Sequence, residues 1–120
     1  KTTCTHWLAQ AFSALNKKAA VVGTLGNGIL NDGLSETKNT TPDSILLHEM
    51  LADYLHQKTQ AVAMEVSSHG LDQGRVNGVA FDIAVFTASI KSPKTPPREC
   101  IIKLNRNSTL VNSVFLFAKA

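Results

Sequence analysis

The stretch Ala61-Val62-Ala63-Met64-Glu65-Val66-Ser67-Ser68-His69-Gly70-Leu71-Asp72-Gln73-Gly74-Arg75 decides how this chain is read. Its first six residues are apolar apart from Glu65, which predicts a strand buried on both faces that carries a carboxylate at its end. Hydroxyls, an imidazole, an amide and a guanidinium follow within a few residues, more polarity than a structural turn needs. In parallel α/β sheets, ligands bind where strands give way to loops.

Working outward, Ala19 to Gly23 is a second short apolar run ending in glycine, and Phe81 to Thr87 reads as a third strand. Trp7, Leu8, Ala11, Phe12 and Leu15 recur with helical period over residues 3 to 16. A second helix is expected from Thr41-Pro42-Asp43 to about Lys58, with Ile45, Leu46, Met50, Leu51 and Leu55 on its apolar face. Between them, Gly26-Asn27-Gly28 and Asn31-Asp32-Gly33 are turn signatures, so residues 24 to 41 read as loop or a small hairpin. Helices alternating with apolar strands give an α/β class with a parallel sheet, and strands 19 to 23, 61 to 66 and 82 to 86 are expected as parallel neighbours.

The 120 residues fit one small domain, and the 43% hydrophobic and 18% charged content is that of an ordinary globular protein. No apolar run reaches the roughly 18 residues of a membrane span, and no signal peptide core follows the first residues. A cytoplasmic protein is expected. Cys4 and Cys100 stand far apart, without the Cys/His spacing of a zinc site, and read as bystanders. The formal charge of +3 is unevenly divided. Residues 1 to 87 hold six Lys/Arg against eight Asp/Glu, whereas residues 88 to 120 hold six against Glu99 alone, with three of the four prolines. The basic tail has neither aromatic interleaving nor an amphipathic repeat, so neither a nucleic-acid nor a membrane partner is expected. It is expected to be irregular and to pack poorly, with only Ser113 to Ala118 apolar again.

Three further pieces carry chemistry. Lys1-Thr2-Thr3 stands directly before the first helix, where a lysine, a hydroxyl and a helix amino terminus suit phosphates and a divalent cation. Asn39-Thr40-Thr41-Pro42-Asp43 lies at a loop-to-helix junction and suits either helix capping or an anionic substrate. In Ser67-Ser68-His69-Gly70, the imidazole is expected to satisfy local backbone groups rather than to catalyse.

Taken in order, Lys1 to Thr3, Gly23 to Gly28, Asn39 to Pro42, Met64 to Arg75 and Phe81 to Thr87 resemble the central domain of the Mur ligases. The segment Glu65-Val66-Ser67-Ser68-His69-Gly70-Leu71, with Gln73 and Arg75 behind it, resembles the ligases acting on UDP-N-acetylmuramoyl-L-alanyl-D-glutamate. It sets them apart from sister Mur enzymes and folylpolyglutamate synthetases, which are the alternatives. The resemblance implies a partial three-layer P-loop-type α/β sheet over residues 1 to 87, and an ATP-dependent ligase using Mg2+. It would add a third amino acid, such as meso-diaminopimelate or lysine, through an acyl phosphate, and would act as a monomer. It also implies roles: Lys1, Thr2 and Thr3 on ATP phosphates, Thr2 and Glu65 on Mg2+, with Lys1 and Glu65 catalytic. Asn39, Thr40, Thr41, Ser67, Gln73 and Arg75 would hold the UDP-sugar substrate, Arg75 through its fork of donors.

From Ala88 onward the family pattern is lost in mid-motif, so residues 88 to 120 are expected to be foreign to the domain, through a shifted reading frame. The family's uridine-binding and carboxy-terminal domains have no counterpart in these residues, and a chain of this extent alone is expected to be inactive.

Overall fold

A computed structural model describes residues 2–86 and 114–119. The elements are α1 (Thr2–Ala14), β1 (Ala19–Gly23), β2 (Gly26–Ile29), α2 (Ser44–His56), β3 (Ala61–Val66), the short α3 (Ser68–Asp72), β4 (Ile83–Phe86) and β5 (Val114–Lys119). The strands form one sheet in the order β2-β1-β3-β5-β4.

Both long helices end by the same device. Asn16 and Lys58 adopt left-handed backbone with φ of 56° and 59°. Around them, Asn16 N–H donates to Ser13 O and Lys17 N–H to Phe12 O, while Lys58 N–H donates to Leu55 O and Thr59 N–H to Tyr54 O. These paired bonds satisfy the last helical carbonyls and turn the chain sharply. Each turn therefore delivers the chain into a central strand, and a bond from Gln60 N–H to Lys18 O ties the starts of the two strands together. β1 and β3 then run parallel, with Ala19 opposite Ala61 and Val22 opposite Met64.

Strand parity distributes the core. Ala19, Val21, Ala61 and Ala63 face α1 through Ala9, with Leu8 and Phe12 packed alongside. Ala20, Val22, Val62, Met64 and Val66 face α2 through Leu47 and Tyr54. The result is a helix, a sheet and a helix in three layers. The alanines on the first face let α1 lie close to the sheet. Glu65 shares the parity of Ala61 and Ala63, so it emerges on the α1 side at the carboxyl end of β3.

Several expectations need correction. α1 buries Thr5 and Ala9, while Trp7, at 66% exposure, and Leu15 face outward. α2 buries Leu47 and Tyr54, with Met50 and Leu51 against the core, and leaves Ile45, Leu46 and Leu55 exposed. Leu8, Phe12, Met50 and Leu51 pack on the core as expected, but each helix is rotated so that Thr5 and Ala9 of α1, and Leu47 and Tyr54 of α2, take the centre of the contact. The small hairpin expected within residues 24 to 41 is present: β2 pairs antiparallel with β1 across the tight turn Thr24-Leu25. Gly26 in that hairpin has φ of 130°, and a Cβ there would stand 2.8 Å from Ser35 O.

The expected neighbourhood of β3 and β4 is also overturned. β5 lies between them and pairs antiparallel with each, from Ala61↔Lys119 to Val66↔Val114 and from Ile83↔Phe117 to Phe86↔Val114. β4 therefore keeps the direction of β3 but stands one strand further out. A buried strand cannot leave its edge amides unpaired. Val114-Phe115-Leu116-Phe117-Ala118-Lys119, rich in β-formers, supplies the ladder. So the end of the basic tail is a strand of the sheet rather than a loosely attached segment. Thr87, residues 88 to 113 with Cys100, and Lys1 lie outside the described residues.

Candidate functional site

β1 and β3 end side by side, and the amino terminus of α1 sits over that edge. The Thr2 hydroxyl donates to Glu65 Oε2 at 3.1 Å. From the other side, Thr24 uses its backbone N–H on Glu65 Oε1 at 3.0 Å and its hydroxyl on Oε2 at 3.3 Å. Glu65 is only 1% exposed. A carboxylate so far from water must be compensated, and these neutral donors from Thr2 and Thr24 contribute to that compensation. Gly23 makes the arrangement possible: a Cβ there would come within 2.4 Å of Glu65 Oε1. Asn27 Oδ1 accepts from Gly23 N–H at 3.0 Å and fixes the hairpin beside it.

The loop before α2 closes the other flank. Asp43 caps the helix by accepting from Leu46 N–H at 3.0 Å, which leaves Thr40 and Thr41 free of that task. Thr40 Oγ1 stands 3.1 Å from Thr24 Oγ1. Thr41, fully buried, donates to Glu65 O at 3.3 Å and accepts from Ser67 N–H at 2.9 Å. Ser67 in turn caps α3, accepting from Gly70 N–H at 3.0 Å. Arg75 donates through Nη1 to Thr41 O at 2.7 Å and through Nε to Gln73 Oε1 at 2.9 Å. The outer edge of this half-buried guanidinium remains for an anionic group.

The structure thus brings together Thr2, Glu65, Thr40, Thr41, Ser67, Gln73 and Arg75. Thr3 is exposed on the first turn of α1. Asn39 is exposed as well, with its backbone N–H and carbonyl engaged by the Thr37 hydroxyl, and its amide joins no hydrogen bond within the cleft. Lys1 lies outside the described residues. The His69 ring is exposed, and the local turn is satisfied by the Ser67 hydroxyl instead. Residue type alone does not single out Thr24 or Gly23 as parts of the site. A glycine followed by a hydroxyl at the end of a buried strand is the signal that could find them.

These donors fit the groups that the resemblance implies. The described residues contain no cluster of three or more His, Cys, Asp or Glu side chains able to hold a metal ion. Mg2+ needs no such cage, since it retains waters and takes phosphate oxygens beside one or two protein ligands. The Glu65 carboxylate and the lone pairs of the Thr2 hydroxyl match that demand. α1 has no acidic residue in its first turn, so its positive dipole end suits phosphate.

The family model for the Mur ligase middle domain matches residues 1–90. A UDP-N-acetylmuramoyl-L-alanyl-D-glutamate--2,6-diaminopimelate ligase from Chromobacterium violaceum is 59% identical over 87 residues, covering 72% of this chain and 17% of the relative. The ligase of the same name from Ralstonia nicotianae is 56% identical over the same length and shares. A solved structure of a ligase of that name superposes with a TM-score of 0.59 at 42% identity, covering 67% of this chain and 16% of the other. The chain therefore spans about a sixth of the length of these relatives. A buried carboxylate at a strand end, met by a helix-terminal threonine and matched across residues 1–90, makes this chain a member of the Mur ligase family, in its middle domain.

Proposed function

We propose that this domain supplies the nucleotide and metal side of an ATP-dependent ligase that adds meso-2,6-diaminopimelate to UDP-N-acetylmuramoyl-L-alanyl-D-glutamate in peptidoglycan synthesis. The meeting of Thr2 with buried Glu65 at 3.1 Å carries this reading, and the names of the relatives supply the substrates. When bound, Mg2+ and ATP supply the phosphoryl group that activates the substrate carboxylate and neutralise its charge. The residues of the chain position. Thr2 and Thr3, at the start of α1, and Lys1, which precedes them in the sequence, receive phosphates, and Glu65 with Thr2 holds the metal. Thr40, Thr41, Ser67, Gln73 and Arg75 hold the acceptor, with Asn39 at the rim. Alignment of reacting groups and charge neutralisation are the main contributions to such phosphoryl transfer.

No helix among the described residues is long and apolar enough to cross a membrane. Action in the cytoplasm as a monomer, without nucleic acid, completes the reading. We further propose that the family's sequence pattern ends near residue 87 and that residues 88–120, β5 included, arise from a shifted frame. Sequencing the coding DNA through codon 88 tests this, and one intact frame in independent reads would overturn it.

The function is tested by following ADP release from a full-length ligase carrying this domain. Release is expected only with ATP, Mg2+, UDP-N-acetylmuramoyl-L-alanyl-D-glutamate and an amine together, with meso-diaminopimelate preferred over lysine. Release indifferent to the UDP-dipeptide would refute the reading.

A further inference from the structure

Resting on that reading of Glu65 and the 39–41 loop, we propose that Thr24 is a positioning residue that joins the metal carboxylate to the substrate loop through one directed chain of hydroxyl protons. A carboxylate only accepts, so the Thr24 proton goes to Glu65 Oε2 at 3.3 Å. Each hydroxyl has one proton, and Thr40 must therefore donate to Thr24 across their 3.1 Å contact. The Thr24 backbone N–H holds the other carboxylate oxygen at 3.0 Å. Thr24 thus grips both oxygens of Glu65 and orients the hydroxyl of Thr40, which stands 16 residues further along the chain.

With its proton committed to Thr24, the Thr40 hydroxyl is left as an acceptor for a donor on the substrate. Movement of Glu65 toward a metal shifts the acceptor of Thr24, and through it the orientation of Thr40. The position has little freedom to compensate: the preceding residue must be glycine for Glu65 to fit at all, because of the 2.4 Å approach of a Cβ to Oε1. Thr24-Leu25 is a tight two-residue connection between β1 and β2, so the backbone N–H of Thr24 cannot swing away while the hairpin is intact.

The test measures Mn2+ binding to a full-length ligase carrying this domain, in the presence of a non-hydrolysable ATP analogue, so that turnover is not needed. Thr24→Val keeps the branched shape and the N–H but removes the relay, and is expected to weaken Mn2+ binding about tenfold to a hundredfold, as loss of a bond to a charged group implies. Thr24→Ser, which keeps the donor, restores most of that loss. Thr40→Val, remote from the carboxylate, weakens Mn2+ binding about twofold to threefold in the parent and has no further effect once Thr24 is valine. Thermal unfolding without metal or nucleotide provides a second readout: Thr24→Val lowers the midpoint and Thr24→Ser does not.

Equal losses for Val and Ser at position 24 would assign the effect to the methyl group and overturn the proposal, as would additive effects of the two valine variants. Absence of Mn2+ binding in the parent would overturn the proposal together with the metal reading. Normal relay effects in a ligase that makes no amide bond would leave the inference standing and refute the proposed reaction.

Discussion

Gly23→Ala is the substitution whose effect the structure fixes most closely. Its Cβ would lie 2.4 Å from Glu65 Oε1 and 3.0 Å from both Cδ and Cγ. No backbone strain enters, because Gly23 is not among the residues of positive φ. Ordinary contact requires the carboxylate to retreat by about 1 Å, and the 3.0 Å bond from Thr24 N–H does not survive that movement. Loss of a hydrogen bond to a charged group costs about 1.5–3 kcal/mol. Overpacking of a buried site costs about 1–3 kcal/mol. Because the retreat trades one for the other, a total of about 2–4 kcal/mol is expected. Urea unfolding of the chain, followed by far-ultraviolet circular dichroism, measures it. The decisive comparison is a double-mutant cycle. With Glu65→Ala already present the new methyl has room, and Gly23→Ala is expected to cost less than about 0.5 kcal/mol. A cost below about 0.5 kcal/mol with Glu65 present, or equal costs in both backgrounds, would refute the close-approach argument.

Other consequences are equally direct. Gly70→Ala places a Cβ within 2.8–2.9 Å of the Thr41 side chain, so UDP-dipeptide affinity of the full-length ligase should fall at least tenfold, measured by calorimetry. Tyr54 is pushed up from 10.0 to about 12, first by burial and then by the nearby Asp53 charge. The unfolded chain therefore releases this proton first, and stability should be level up to about pH 10 and fall by about 2–3 kcal/mol by pH 12. Tyr54→Phe, followed by urea unfolding across that range, should remove this part of the decline. Asp43→Ala removes the cap on Leu46 N–H and should cost about 1 kcal/mol in the same unfolding assay.

Much of the fold is legible in the residue pattern because β1 and β3 are apolar but for Glu65, and such strands belong in the middle of a covered sheet. Their shared parity also carries Glu65 to the α1 side, a consequence of the two-residue repeat alone. Helix faces are less legible. Trp7 attracts the assignment by size and Ile45 by hydropathy, whereas the rotation of each helix on the sheet selects Thr5, Ala9 and Leu47. The insertion of β5 has a visible signal in residues 114–119, but alternation and composition say nothing about which edge a strand will pair with. In the site, the ordered set of motifs resembling the Mur ligases is what gathers Thr2, Glu65, Thr41 and Arg75, since residue type at a helix start or a capping loop is equally served by a structural role. Thr24 escapes that reading because half its contribution is a backbone N–H, which every residue but proline carries. His69 looks chemically promising by type, yet the small Ser67 hydroxyl reaches the Gly70 N–H.

The central claim is that Glu65 serves as the metal carboxylate of an amide ligase. Because Glu65 is buried and holds Thr2 and Thr24, Glu65→Gln is the proper perturbation, keeping the shape while removing the charge. In a full-length ligase carrying this domain, amide formation from UDP-N-acetylmuramoyl-L-alanyl-D-glutamate and meso-diaminopimelate should fall by about 10²-fold or more at saturating Mg2+, with UDP-dipeptide binding retained. Turnover by Glu65→Gln within about threefold of the parent under those conditions would contradict the account, since that corresponds to less than about 1 kcal/mol of transition-state stabilisation.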